Sequence, residues 1–323
     1  MSPPLLSVRH LVTRFRTGRG QITAVNDVSF EVAAGETVAI VGESGSGKSV
    51  TALSILRLIA DPPGHIESGE ILFDGQDLLK MSDVEMRTVR GNRIAMIFQE
   101  PMSSLNPSLT VGMQVGEPVH LHRRALWRMA LEKARELLGL VRMSDAASRV
   151  NAYPHQFSGG MRQRAMIAMA LACEPQLIIA DEPTTALDVT VQAQILDLLK
   201  DLAERTGSAL VLITHDLGVV ARYADRVVVM YAGRVVESAP AAQLYARPRH
   251  PYTQGLMASV PRLDGDTNVR LVPIEGQPPD LARIPDGCAF ASRCKHATDT
   301  CRQAPPALRD IDPRHQVACI LEV

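Results

Sequence analysis

The alternation of apolar and polar residues along this chain predicts an α/β fold. Residues 5 to 41 and 66 to 75 alternate with the period of strands. Residues 48 to 60, 161 to 172 and 189 to 205 follow the helical period. Helices that follow apolar strands in this order are typical of a parallel core sheet.

The composition and periodicity of the sequence change twice along the chain. Residues 99 to 107 mix prolines with Ser and Asn, which predicts an ordered loop rather than a helix or strand. After about residue 245 prolines become frequent and the periodicity fades. We therefore predict a first domain at residues 1–250, which contains a helical subdomain at about 100–173. A loop-rich C-terminal extension follows at residues 251–323.

A glycine-rich loop joins the predicted strand Thr37–Val41 to a predicted helix at 50–58. Residues 42–49 match the G-x-x-x-x-G-K-[ST] pattern at every defined position. Its glycines let successive N–H groups turn toward one anion, and the helix start adds a positive dipole end. Lys48 is expected to reach the β- and γ-phosphates and Ser49 to bind Mg²⁺. The loop residues predicted to contact a nucleotide are Gly42, Ser44, Gly45, Ser46, Gly47, Lys48 and Ser49.

Two further apolar strands are predicted to end in ionisable side chains. The first leads into Asp181 and Glu182, and a core strand has no use for two carboxylates at its end unless a cation lies there. We expect Asp181 to hold Mg²⁺ through water and Glu182 to polarise the water that attacks the γ-phosphate. The second strand, residues 211–214, precedes His215, and a lone histidine in that place is more often structural than catalytic.

Length, charge and hydropathy exclude some classes of function. The chain has 323 residues, and its 46% hydrophobic content can supply a large core. The net charge of −1 provides no global field that would recruit nucleic acid or an anionic membrane. No run of about eighteen apolar residues occurs, and residues 1–4 lack the features of a signal peptide. We therefore expect a cytoplasmic chain that does not span a membrane by itself.

In their order and content these motifs resemble the ATP-binding cassette (ABC) ATPases. The resemblance covers about residues 5–255. It includes the glycine-rich loop, the acidic pair and His215, which are described above. It also includes three further segments: Gln99, Ser158-Gly159-Gly160, and Ala186-Leu187-Asp188. It implies a P-loop NTPase fold, with a RecA-like core, an antiparallel β subdomain and a helical insert.

The resemblance also implies roles for single residues. Phe15 is similar to the aromatic residue that stacks on adenine, although an ordinary strand residue with polar neighbours would look the same. Gln99 is similar to the glutamine that senses Mg²⁺ and couples to the membrane partner, and His215 to the switch histidine at the γ-phosphate. Asp188 is similar to the aspartate of a loop that crosses to the other subunit. The implied catalytic residues are Lys48, Gln99, Glu182 and His215.

Ser158, Gly159 and Gly160 precede a predicted helix, where N–H groups and a hydroxyl can bind an anion. In the resembled family this segment completes the ATP site of a facing subunit, so that two cassettes enclose two nucleotides. The resemblance thus implies a second ATPase subunit, and it favours a paralogue over a second copy of this chain. It also implies two membrane permeases, an extracytoplasmic substrate-binding protein, and a peripheral position on the cytoplasmic face of the membrane. No nucleic-acid partner is expected.

Residues 249–256 resemble a segment that marks the ATPase subunits of peptide and nickel importers, and the loop at 99–107 is similar to the same subfamily. This favours uptake of di- or oligopeptides and places the permease interface around residues 100–118. Nickel import stays an alternative, because the ATPase does not touch the cargo. A soluble cassette ATPase of translation, repair or cluster assembly is a further alternative, disfavoured by the single cassette and the short insert.

Four cysteines crowd the loop-rich extension. In a cytosolic protein such a group suggests a metal rather than disulfides. The spacing matches neither a zinc ribbon nor a ferredoxin, so the residues alone leave the metal open. Peptide-importer ATPases with a similar tail can carry a [4Fe-4S] cluster, and the resemblance implies one here, with zinc or free thiols as alternatives. The ligands would be Cys288, Cys294, Cys301 and Cys319.

Overall fold

The structure is a computed structural model, and it describes residues 3–18, 20–185, 187–259 and 273–321. The strands within these residues are β1 (Leu6–Thr17), β2 (Gly20–Val32), β3 (Thr37–Val41), β4 (Gly64–Phe73), β5 (Gln76–Asp77), β6 (Ile94–Ile97), β7 (Leu177–Asp181), β8 (Ala209–Thr214), β9 (Arg226–Tyr231), β10 (Arg234–Pro240), β11 (Arg309–Asp312) and β12 (His315–Val317).

The α-helices of the same residues are α1 (Lys48–Ile55), α2 (Asp83–Val89), α3 (Pro101–Ser104), α4 (Val111–Arg123), α5 (Trp127–Leu140), α6 (Ala146–Arg149), α7 (Gly159–Leu171), α8 (Val189–Thr206), α9 (Leu217–Tyr223), α10 (Ala241–Ala246) and α11 (Pro251–Ala258). Short 3₁₀ turns occur at Pro154–Gln156 and Asp299–Arg302. Among the described helices, none combines the length and the apolar composition that a membrane crossing needs.

The chain divides into two compact units. The first unit takes in residues 1–32, 37–79 and 214–323, and the second takes in residues 33–36 and 80–213. The first contains an antiparallel sheet with the strand order β2-β1-β4-β5, and a second set of strands in the order β11-β12-β10-β9-β3. The second contains the strand order β8-β7-β6.

In the first unit, the predicted strand region 5–41 is resolved into β1, β2 and β3. β1 pairs antiparallel with both β2 and β4, with Leu6 opposite Val32 on one side and Phe73 on the other. All five residues of β3 are buried, and the strand pairs parallel with β9. Burial on both faces explains why the sequence of β3 is a continuous apolar run rather than an alternating one.

The C-terminal segment shares the core of this first unit. β10 pairs with β9 and also with β12, which places Glu237 opposite Val317. Tyr252 and Phe290 are buried in the same hydrophobic cluster as Val41 and Val229. Residues on both sides of position 250 therefore form one apolar core, and the predicted domain boundary there stays a prediction.

The second unit contains parallel strands and the predicted helical insert. β7 pairs parallel with β6 and with β8, and every residue of β7 and β8 is buried. The helices predicted at 161–172 and 189–205 are confirmed within two residues as α7 and α8.

Two local predictions were wrong. The helix predicted at 48–60 ends at Ile55, because Arg57 adopts a positive φ of 50° that a right-handed helix cannot include. The loop predicted at 99–107 contains the short helix α3. Pro101 stands at its first position, where the ring presets a helical φ, and the Ser104 hydroxyl donates to the carbonyl of Glu100 at 2.7 Å.

Candidate functional site

The glycine-rich loop of the first unit runs from the end of β3 to the start of α1, as the sequence predicts. Gly47 caps α1 with a φ of 100°. A Cβ atom at Gly47 would lie 2.4 Å from the Ala24 carbonyl oxygen, and one at Gly42 would lie 2.2 Å from the carbonyl oxygen of Met230. Both positions require glycine, because backbone atoms cannot give way at such distances.

The ammonium group of Lys48 lies inside this loop. Its Nζ atom donates to the carbonyl oxygens of Gly42 at 2.8 Å and Glu43 at 3.0 Å, and lies 3.4 Å from the Ser46 hydroxyl. Lys48 and Ser46 are buried, whereas Ser44 and Gly45 at the tip are exposed and Ser49 is half-buried. A buried cation at the start of a helix is typical of an anion-binding concavity.

Glu43, one residue into the loop, is held by the C-terminal segment. Its backbone N–H donates to the Tyr252 hydroxyl at 2.8 Å. Its carboxylate accepts two hydrogen bonds from the guanidinium of Arg293, at 2.6 and 3.0 Å. These hydrogen bonds are the main reason why the pKa of Arg293 lies above its ordinary value. Sequence reasoning missed this contact, because no local pattern connects residues so far apart in the chain.

Two predicted nucleotide contacts lie elsewhere in the first unit. His215 follows β8 and is exposed, immediately before Asp216, which caps α9 by accepting from the Gly218 N–H at 2.8 Å. Phe15 is half-buried in β1. Its ring lies against Gly64, where an added Cβ would come within 2.6 Å of the ring.

In the second unit, the acidic pair stands at the end of β7, as predicted. Asp181 is buried, and Glu182 follows it with a φ of 44°. A positive φ is uncommon for a residue other than glycine, so the regular strand conformation ends at Glu182.

One oxygen of the Glu182 carboxylate accepts from two neighbours in this unit. The Gln99 amide Nε2 lies 3.0 Å from Glu182 Oε2, and the Thr185 hydroxyl lies 2.9 Å from the same atom. The structure thus brings together two residues that the sequence marks separately, and adds Thr185. The sequence indicates this role of Thr185 only weakly. A threonine three residues after Glu182 can reach its carboxylate if the chain turns between them.

The predicted helix start at residues 158–160 is also in the second unit. Ser158 is the N-cap of α7, and its hydroxyl accepts from the Met161 N–H at 3.4 Å. A Cβ at Gly160 would lie 3.0 Å from a methyl group of Val191. Asp188 caps α8 by accepting from the Val191 N–H at 2.9 Å. The starts of α7 and α8 therefore lie side by side; Ala186, in the loop before Asp188, lies outside the described residues.

The four predicted metal-binding cysteines of the C-terminal segment line one cavity. Its empty volume is about 300 Å³, including space open to solvent. The cysteines are free, and they are Cys288, Cys294, Cys301 and Cys319.

The thiols of this cavity differ in acidity. Burial, with a smaller contribution from the other thiols, raises the pKa of Cys288, Cys294 and Cys319. The pKa of Cys301 is lowered, mainly by a hydrogen bond with the hydroxyl of Thr298 at 3.4 Å. Within the described residues, no group of three or more His, Cys, Asp or Glu side chains is arranged to hold one metal ion.

Comparison with known proteins shows the class of protein that this fold and this site define. Residues 25–185 match the family model "ABC transporter", and residues 236–301 match the model "Oligopeptide/dipeptide transporter, C-terminal region". The fold resembles the dimeric structure of the ATP-binding cassette MJ0796 in a post-hydrolysis state with ADP and Pi. That match has 31% identity and a TM-score of 0.66, and covers 73% of this chain and 98% of that one.

Relatives are similar over almost the whole length. A putative peptide import ATP-binding protein of Brucella melitensis biotype 1 is 54% identical, with 98% of this chain and 97% of the relative covered. The dipeptide transport ATP-binding protein DppD of Bacillus subtilis is 51% identical, with coverage of 98% and 95%. The chain therefore belongs to the family of ATP-binding proteins of ABC transporters. The expected α/β cassette fold and ATP binding are confirmed.

Proposed function

We propose that this chain hydrolyses ATP to power the import of dipeptides or oligopeptides across the cytoplasmic membrane. The observation that carries the proposal is the joint presence of an ABC transporter region and an oligopeptide/dipeptide transporter C-terminal region in one chain. Relatives that match almost its full length are named for peptide import, dipeptide transport and oligopeptide transport.

In this proposal the first unit binds the triphosphate. The N–H groups of the loop and of the start of α1 would surround the phosphates, and the buried Lys48 ammonium would pair with their charge. His215 would contact the γ-phosphate and Phe15 would stack on the adenine. The loop positions that would line the phosphates are Gly42, Ser44, Gly45, Ser46, Gly47, Lys48 and Ser49.

Ser49 in the first unit, and Gln99 and Asp181 in the second, each carry an oxygen of the kind that Mg²⁺ prefers, and they are the residues that would bind it. Asp181 is buried at the end of β7, so its carboxylate has a fixed position from which to bind an ion. The bound ion would neutralise charge on the β- and γ-phosphates.

Glu182 would act as the general base. Two donors, Gln99 and Thr185, fix one of its oxygens and so set the direction of the carboxylate. Glu182 would take a proton from the attacking water as the water oxygen bonds to the γ-phosphorus. The bond from that phosphorus to the bridging oxygen breaks, and ADP and inorganic phosphate leave.

A second cassette is needed for the remaining predicted residues to act. Ser158, Gly159 and Gly160 form the start of α7, and Ser158 and Gly159 are exposed. In our proposal these residues and Asp188 contact the nucleotide of a facing cassette, a paralogue of this chain. The similar MJ0796 cassette is described as dimeric. Two permeases and an extracytoplasmic binding protein would complete a transporter, with this chain peripheral on the cytoplasmic face.

We further propose a [4Fe-4S] cluster at the C-terminal cysteines. The supporting observation is that four free thiols line one cavity, and four thiolates are the donor set of such a cluster. When bound, the cluster would cross-link a loop-rich segment. Anaerobic purification followed by iron, sulfide and zinc analysis tests this, with about four irons per chain expected and loss of iron in Cys294→Ser. Metal-free protein, or zinc alone, would refute the cluster.

Transport is tested by reconstituting the chain with its permeases and binding protein in liposomes. We expect ATP-dependent uptake of a labelled dipeptide or oligopeptide, and none with Lys48→Ala. Uptake of Ni²⁺ in place of peptides would overturn the peptide assignment but keep the importer. ATP hydrolysis without any association with apolar membrane subunits would favour a soluble cassette ATPase.

A further inference from the structure

A carboxylate in a phosphate-binding loop is electrostatically unfavourable, and this loop contains one at Glu43. An unpaired negative charge there would repel the phosphates that the loop is built to bind. Its side chain is 28% exposed, so solvent screens the charge only in part. The structure resolves this conflict by placing a guanidinium group against the carboxylate.

That guanidinium belongs to Arg293, whose side chain is only 3% exposed. Both terminal nitrogens reach the Glu43 carboxylate, in the bidentate arrangement that is the strongest form of an arginine–carboxylate pair. Burial makes such a pair sensitive to the loss of either partner, because the remaining charge is left uncompensated.

Arg293 is also held by contacts outside the loop. Its Nε donates to the Glu275 carbonyl at 3.0 Å, and a terminal nitrogen donates to the Ile274 carbonyl at 3.2 Å. The guanidinium also lies over the rings of Tyr231 and Phe290. These contacts orient the guanidinium independently of Glu43, so that it is already in place to pair with the carboxylate.

Tyr252 adds a second attachment at the same residue of the loop. Its hydroxyl accepts the Glu43 N–H, and its ring packs on Tyr231 and Phe290. The carbonyl of Glu43 accepts from the Lys48 ammonium. The three polar groups of Glu43 thus connect the C-terminal segment directly to the cation of the phosphate site.

We propose that Arg293 cancels the charge of Glu43 and that Tyr252 is a positioning residue of the phosphate-binding loop, so that the C-terminal segment sets the ATP affinity of this cassette. The proposal rests on ATP binding by the loop. Two residues outside the family's nucleotide motifs would thus affect nucleotide binding through Glu43.

Rescue of Arg293→Gln by a second substitution that neutralises Glu43 distinguishes this role from a merely structural one. The dissociation constant of a fluorescent ATP analogue with Mg²⁺ is measured on the full chain. Arg293→Gln, which removes the charge but keeps most of the volume, is expected to weaken binding about tenfold. Glu43→Gln alone is expected to bind as tightly as the wild type or more tightly. The double variant is expected to recover to within about threefold of the wild type, because no unpaired charge remains.

Three further measurements sharpen the test. Tyr252→Phe removes only a hydroxyl, and should weaken binding about fivefold. In the reconstituted transporter, Arg293→Gln should raise the KM for ATP and leave kcat almost unchanged, because the loop binds ground state and transition state alike. Arg302→Ala serves as the matched control, since Arg302 pairs with Asp299 on the exposed surface of the same segment, and its affinity should equal that of the wild type.

The proposal is overturned if the double variant binds as weakly as Arg293→Gln, or if folded Arg293→Gln binds like the wild type. Thermal unfolding of each variant establishes that it is folded. Should Arg293→Gln not fold, Tyr252→Phe decides, and an unchanged affinity in that variant refutes the positioning role. Failure of the wild type itself to bind the analogue would refute ATP binding, a result separate from any difference among the variants.

Discussion

The amide nitrogen of Gln99 lies 3.0 Å from the Oε2 oxygen of Glu182, and this contact connects the end of β6 to the end of β7. The two residues are 83 positions apart in the chain, but their strands are parallel neighbours in the sheet. A rearrangement of the loop after β6 would therefore change the orientation of the proposed general base. This gives a physical route from residues 100–118, the proposed permease contact, to hydrolysis.

Replacing Glu182 by Gln is expected to lower the rate of ATP hydrolysis by about 100-fold or more, because the amide cannot accept the proton of the attacking water. ATP binding should persist, since the substitution removes a charge close to the phosphates. Closed dimers with the partner cassette and unhydrolysed ATP should accumulate, which size-exclusion chromatography with labelled ATP measures. Turnover close to that of the wild type would mean that the base is another residue.

Thr185 is expected to set the direction of the Glu182 carboxylate. Thr185→Val keeps the shape and removes the hydroxyl donor, which should lower kcat by about fivefold, the worth of one hydrogen bond. Thr185→Ser retains the donor and is the matched control, with kcat close to the wild-type value. Equal rates for the two variants in a steady-state assay would contradict this role.

Gly47 is expected to tolerate no side chain. The Cβ of Gly47→Ala would lie 2.4 Å from the Ala24 carbonyl oxygen in a backbone conformation with a φ of 100°. The loop must shift to relieve this overlap, at a cost of about 1–3 kcal/mol in the free energy of unfolding and with loss of ATP binding. Denaturant titration measures the first quantity.

Gly139→Ala is the control for this prediction. Gly139 lies in α5, and an added Cβ would meet no atom within 4 Å. Alanine should leave the protein as stable as the wild type or stabilise it slightly, because it favours the helix more than glycine does. Destabilisation by this variant equal to that of Gly47→Ala would show that steric overlap is not the cause.

Two histidine–carboxylate pairs of equal length test the effect of burial. His315 Nε2 lies 2.8 Å from the carboxylate of Glu237, and both side chains are buried. His315→Ala should lower the free energy of unfolding by about 2 kcal/mol, since the buried carboxylate loses one of its three hydrogen-bond partners and keeps the N–H groups of Arg249 and His250. His10 pairs with Asp27 at the same 2.8 Å on the surface, and His10→Ala should change stability little. Equal effects in a chemical denaturation experiment would refute the distinction.

The sequence predicted those parts of the site that short segments encode. The loop before α1, the acids after β7 and the cap of α7 each depend on neighbouring residues, so their patterns could be recognised before the fold was known. The contacts of Glu182 with Gln99 and Thr185 could not be predicted, although Gln99 and Glu182 were each assigned a role. Their distance depends on which strands are neighbours, and single-strand patterns do not contain that information.

The C-terminal segment was the least predictable part of the fold. Its lack of periodicity predicted a loop-rich extension, and gave no sign that Phe290 would be buried in the core of the first unit or that β12 would pair with β10. Proline-rich loops can fill a core without any helical or strand period, and so give no periodic signal. The grouping of the cysteines was predicted, and the cavity that they share agrees with it.

The attachment of Glu43 to Arg293 also has a consequence for synthesis of the protein. A ribosome makes the chain from its first residue, so the phosphate-binding loop emerges 250 positions before the arginine that it pairs with. His315, which secures the last strand to Glu237, emerges later still. In a nascent cassette all of the nucleotide motifs are therefore synthesised before Arg293, and the loop can reach its final geometry only after the segment that contains Arg293 has been made.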